Sequence, residues 1–119
     1  MSEKMGIHII LDLFDCPVEK LQKVDFVREA CLDTVNHAGL SVLKEHFHQF
    51  EPEGATGMLL LAESHLSIHT WPEHNSAAVD IFCCFLNGGE KAKEKAEKAS
   101  EFLIEKFGAK NFIKNVHIR

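Results

Sequence analysis

Apolar residues alternate at Ile7, Ile9, Leu11 and Leu13, so residues 6–13 predict a strand with one apolar face. After Pro17 the period changes. Leu21, Val24, Val27, Cys31 and Val35 keep helical spacing, which predicts a helix starting at about Val18 or Asp25 and running to Ala38. Gly39 is placed to stop it. A strand returns over residues 40–50 and is broken by the turn residues Glu51-Pro52-Glu53-Gly54. Residues 57–62 form a short continuous apolar run, and residues 65–70 read as its partner strand across a bend at Glu63-Ser64. Residues 71–75 predict a loop, because proline cannot donate to a ladder and asparagine favours turns. A strand over 77–85 ends at Asn87-Gly88-Gly89, which opens a helix over 90–107 closed by Gly108. In that helix Ala92, Ala96, Ala99, Leu103 and Phe107 trace a buried stripe, with lysines and glutamates on the solvated face. Residues 111–118 alternate again as a last strand.

Strand, helix, several strands, helix, strand is the order of an α+β two-layer sandwich: one mostly antiparallel sheet with two main helices on one face. At 119 residues, without a linker or low-complexity segment, the chain reads as one domain over 1–119. Its 45% hydrophobic and 26% charged residues are ordinary for a globular protein. A formal charge of −5 gives no electrostatic case for nucleic acid or an anionic membrane. No apolar run approaches the roughly 20 residues of a membrane span. Met1-Ser2-Glu3-Lys4-Met5 lacks the apolar core of a signal peptide, so a cytoplasmic location is expected. Cys16, Cys31, Cys83 and Cys84 form no recognisable framework and are expected as reduced thiols.

The chemistry concentrates in Glu63-Ser64-His65-Leu66-Ser67-Ile68-His69-Thr70-Trp71-Pro72-Glu73. A serine hydroxyl beside its own peptide carbonyl can attack it and shift the backbone from amide to ester. A nearby base can then take the serine α-proton and break the ester by elimination. The dehydroalanine left behind hydrolyses to a ketone, a pyruvoyl group capping the new N-terminus. With Asp80-Ile81-Phe82-Cys83-Cys84 behind it, this segment resembles the short prokaryotic pyruvoyl-dependent S-adenosylmethionine decarboxylases. The likeness runs from Gly6-Ile7-His8 through the final strand.

The resemblance implies a proenzyme that cuts itself between Glu63 and Ser64 into 1–63 and 64–119, with Ser64 becoming the covalent cofactor. No metal and no pyridoxal phosphate is then required. His69 matches the position of the base for elimination, although His65 lies beside Ser64 and competes on proximity. A metal cluster of His65, His69 and His74 is a poor alternative, since His65 and His69 would stand about 13 Å apart along one strand. Thr56 matches a serine whose hydroxyl supports processing, and equally suits a strand start. Cys84 matches the acid that reprotonates the substrate carbon, while a one-residue slip would present Cys83 instead. Glu73 matches the carboxylate that receives the ribose hydroxyls. Phe50 and Trp71 stand where an adenine could stack, with core packing an equal alternative.

The implied activity is Schiff-base decarboxylation of S-adenosylmethionine, releasing carbon dioxide and the aminopropyl donor for spermidine synthesis. The resemblance also implies a homodimer with its sites at the subunit boundary. His74-Asn75-Ser76 replaces an aromatic-rich run of the family, and Phe85 a small residue. The same pyruvoyl chemistry on ornithine or arginine therefore stays open. So does an unprocessed homologue that regulates a true decarboxylase.

Overall fold

The computed structural model of the chain describes residues 3–85 and 89–119. Its elements are β1 (Gly6–Phe14), α1 (Glu19–Gln22), α2 (Val24–Ala38), β2 (Val42–Gln49), β3 (Ala55–Leu61), β4 (Ser64–Trp71), β5 (Ser76–Cys84), α3 (Gly89–Lys106) and β6 (Asn111–Ile118). The strands form one sheet in the order β2-β3-β4-β5-β1-β6, with every neighbouring pair antiparallel. The helices cover one face, as the α+β reading requires.

Alternation decides which residues meet the helices. Ile7, Ile9, Leu11 and Leu13 of β1, Leu66 and Ile68 of β4, and Val79, Ile81 and Cys83 of β5 are buried beneath α2 and α3. Each fully buried Leu or Ile contributes about 1.5–3 kcal/mol. From the helices and the turn just after α3, Val27, Cys31, Val35, Ala96, Leu103 and Phe107 complete that layer. Among the described residues, no helix is long and apolar enough to cross a membrane.

Two differences from the sequence reading have physical causes. The first helix is split, with Lys23 extended at φ −107° and ψ 134°. The Gln22 carbonyl, which would otherwise continue the helix, accepts from the Gly54 N–H at 2.9 Å and from Gln49 Nε2 at 2.9 Å. Gln49 then caps the restart by accepting the Val24 N–H at 2.7 Å. The segment expected as a loop contains a 3-10 turn over Pro72–His74. It is tied down by Asn75, whose carbonyl accepts from the Cys16 N–H and whose side chain donates to the Cys16 carbonyl. The predicted stop at Gly39 is observed in detail. Gly39 is left-handed at φ 77°, its N–H reaches Asn36 and the Leu40 N–H reaches Val35, which closes α2 with paired carbonyl bonds. Asn87 and Gly88, read as the end of the fifth strand, lie outside the described residues.

Candidate active site

The face of the sheet away from the helices is polar, aromatic and uncovered. Cross-strand register assigns to it His46 and His48 of β2, Thr56, Met58 and Leu60 of β3, and His65, Ser67, His69 and Trp71 of β4. Asp80, Phe82 and Cys84 of β5, His8 of β1 and His117 of β6 continue it. Six of the chain's eight histidines thus stand on one face. Met58 and Leu60 are 40% and 45% exposed there. In the middle, His8 Nε2 lies 3.2 Å from Asp80 Oδ1.

One end of this face gathers most of the candidate side chains. His69 stands directly opposite Thr56 in the β3–β4 ladder. Its ring lies between Phe50 and Trp71, with centroids at 5.6 and 4.3 Å. Both aromatics are half-exposed rather than part of the core. The Thr56 hydroxyl donates to the Ile68 carbonyl at 3.2 Å. An open cavity of about 500 Å³ is lined here by His46, His48, Thr56, Met58, Ser67 and His69. Glu73 is exposed on the 3-10 turn that follows Trp71.

The other end holds the Glu63–Ser64 peptide bond. Leu61 and Ser64 close the β3–β4 hairpin, with Ala62 and Glu63 in the turn. Ser64 has φ +146°, a region that non-glycine residues avoid at a cost of about 1–3 kcal/mol. The carbonyl oxygen of Glu63 accepts the backbone N–H of Cys84 at 2.8 Å. Cys83 pairs with Ser64 across the β4–β5 ladder but is buried toward the helices. Burial, with smaller contributions from the Glu63 carboxylate and Cys84 and against the pull of Lys95, pushes the Cys83 thiol up to about 12. Cys84 instead lines a cavity of about 310 Å³ with Glu3, Lys4, Met5 and Phe85.

The chain as a whole has relatives among known proteins. The sequence profile of a family described as S-adenosylmethionine decarboxylase matches residues 7–119. The chain belongs to the S-adenosylmethionine decarboxylase family. It is 50% identical over 105 residues to the S-adenosylmethionine decarboxylase proenzyme of Persephonella marina, covering 88% of this chain and 74% of that protein. It is 41% identical over 119 residues to the proenzyme of Aquifex aeolicus, covering all of this chain and 84% of the relative. The crystal structure of the adenosylmethionine decarboxylase from Aquifex aeolicus superposes with a TM-score of 0.89 at 39% identity, covering 99% of this chain and 92% of that one.

Within this decarboxylase-family fold the candidate residues do not all meet. Thr56, His69, Phe50 and Trp71 converge at one end, with Glu73 on the adjoining turn. At the other end the Glu63 carbonyl meets the Cys84 N–H, and Ser64 pairs with Cys83 across the β4–β5 ladder. Five residues at about 3.3 Å each separate Ser64 from His69 by about 17 Å along β4. His65 is on the same face as His69 but packs near Phe82, with ring centroids 6.1 Å apart. Met5, 62% exposed beside Cys84, was not picked out from sequence. Its signal was weak, a methionine that merely extends the Ile7–Leu13 alternation by one step before the strand begins.

Proposed function

We propose that this chain is a self-processing, pyruvoyl-dependent decarboxylase of S-adenosylmethionine that serves spermidine synthesis in the cytoplasm. The observation that carries it is the Glu63–Ser64 junction: a serine at φ +146° whose preceding carbonyl takes the Cys84 N–H. Ser64 Oγ adds to the Glu63 carbonyl carbon, and charge collects on the oxygen that the Cys84 N–H faces. A donor aimed at a developing oxyanion is among the strongest single aids to acyl transfer. Collapse breaks the C–N bond and leaves an ester between Glu63 and the Ser64 oxygen. Removal of the Ser64 α-proton by His69 expels the Glu63 carboxylate. The dehydroalanine then takes up water and releases ammonia, leaving the pyruvoyl ketone.

His69 cannot reach its own Ser64 across about 17 Å. A second copy of the chain, related by a two-fold axis and laid open face to open face, brings its His69 end over the Ser64 end of the first. Such an isologous contact builds two equivalent sites at once. The exposed Met58 and Leu60, with half-exposed Phe50 and Trp71, offer the apolar surface for it. The substrate adenine stacks on Phe50 and Trp71, and Glu73 accepts from the ribose hydroxyls.

Once formed, the pyruvoyl group supplies an electron sink for loss of the substrate carboxylate. Cys84 returns the proton to the substrate carbon, because it opens on a cavity while Cys83 is turned into the core.

The test is the denatured mass spectrum of fresh protein beside a Ser64→Ala variant. Fragments of 63 and 56 residues (119 − 63) are expected from the native chain and not from the variant. A single uncut 13.4 kDa chain in both overturns the reading and favours an unprocessed regulatory protein.

A further inference from the structure

The turn bearing the Glu63–Ser64 bond is fastened from the helix layer as well as from β5. Glu63 Oε1 accepts the Ser41 N–H at 3.0 Å, and the Ser41 carbonyl accepts the Ala62 N–H at 2.9 Å. Ser41, just before β2, therefore holds both turn residues. From α3, Lys95 places Nζ 4.0 Å from Glu63 Oε2, with the two side chains 35% and 18% exposed. The end of the Lys95 stem also lies close to Gly39 at the end of α2. Glu63 is held at three points: its carbonyl by the Cys84 N–H, one carboxylate oxygen by the Ser41 N–H, and the other beside an ammonium.

We infer that Lys95 is a positioning residue for self-cleavage, holding and neutralising the Glu63 carboxylate while negative charge builds on the carbonyl oxygen of the same residue. The inference rests on the processing reading above. In the first step the adduct of Ser64 Oγ on the Glu63 carbon carries a new negative charge a few bonds from the existing carboxylate. In the second, elimination releases Glu63 with an α-carboxylate, so the residue again gains a negative charge. Without a cation, each step works against the charge already present. Lys95 offsets that charge in both steps and, with Ser41, keeps the carboxylate turned away from the reacting carbonyl.

The pair is partly exposed, so its effect is modest and sensitive to salt. The rate at which the two fragments appear is to be followed by mass spectrometry for the native chain, Lys95→Met and Lys95→Arg, at low and high salt. Lys95→Met, which keeps length but not charge, is expected to slow cleavage about three- to fivefold. Lys95→Arg should restore it, and added salt should slow the native chain more than the Met variant. Thermal midpoints measured alongside establish that each variant is folded. A native chain that never cuts would sink the processing reading itself. A native chain that cuts, with Lys95→Met cutting at the same rate, overturns the role of Lys95 alone. Equal slowing of the Met and Arg variants would assign the effect to packing and also overturn it.

Discussion

His69 and Ser64 stand toward opposite ends of β4, about 17 Å apart by the rise per residue, although the proposed processing asks one to take a proton from the other. That separation makes a pairing experiment decisive. In a two-fold dimer, Ser64→Ala and His69→Ala subunits combine to give one site with both groups and one with neither. Co-expression of the two variants should therefore restore cleavage, and only of the chain carrying His69→Ala. Alone, the first variant should stay uncut and the second should cut about 10²- to 10⁴-fold more slowly, the usual worth of a general base. Mass spectrometry separates the two chains. If the mixture cuts no faster than His69→Ala by itself, the site is not shared between subunits.

Cys83 and Cys84 are neighbours with opposite surroundings, one in the core and one on a cavity. Cys84→Ala should still yield fragments, because the backbone N–H that meets the Glu63 carbonyl survives the substitution. Its carbon dioxide release per processed chain should fall about 100-fold or more. Cys83→Ala should show its main effect on thermal stability. The reverse pattern, with decarboxylation lost in Cys83→Ala and kept in Cys84→Ala, would move the proton donor one residue back.

Much of this arrangement was legible in the sequence because sheet faces follow a period of two. Ile7 to Leu13 announced β1, and residues 111–118 gave the bounds of the last strand as observed. The Glu63–Ser64 junction stood out through the block around it, Glu63 to Glu73, and that block's family resemblance, since a lone serine at a strand junction is ordinary. What escaped were bonds between residues distant in sequence. Gln49 splits the first helix at Lys23 through side-chain bonds that no local pattern signals. The approach of Lys95 to Glu63 likewise depends on how α3 packs. The gap between Ser64 and His69 follows from strand spacing once Ser64 belongs to β4. Reading a bend at Glu63-Ser64, with the strand starting at His65, concealed it.

Gly6 lies opposite Cys84 in the β1–β5 ladder and gives that end of β5 its room. A Cβ at Gly6 would fall 2.5 Å from the Cys83 carbonyl oxygen and 2.9 Å from the Cys84 Cα. These are backbone atoms that no rotamer change can move, so the strands must part. Gly6→Ala should cost about 1–3 kcal/mol, as overpacking does, and lower the thermal midpoint. It should also slow cleavage, because the displaced segment carries the N–H that meets Glu63. Unchanged stability and cleavage would mean that β1 shifts without disturbing β5.

Three thiols link the core to alkaline stability. Burial pushes Cys31 up to about 12 from an ordinary 9.0. Cys83 reaches about 12, burial again leading, and Cys16 about 11, with Asp15 adding to burial. A folded value above the unfolded one means that folding favours the protonated thiol. Its stabilisation is complete below about pH 9 and is lost as pH rises toward 12. In that window the unfolded chain binds fewer protons, so stability falls by up to about 1.4 kcal/mol per pH unit for a thiol such as Cys31. The chain has no tyrosine, which leaves lysines as the main other groups titrating there. Denaturant unfolding from pH 8 upward should show this decline, and Cys31→Ala should make it shallower. Parallel pH profiles for the native and variant chains would mean that Cys31 ionises as freely in the fold as outside it, against its complete burial between α2 and the sheet.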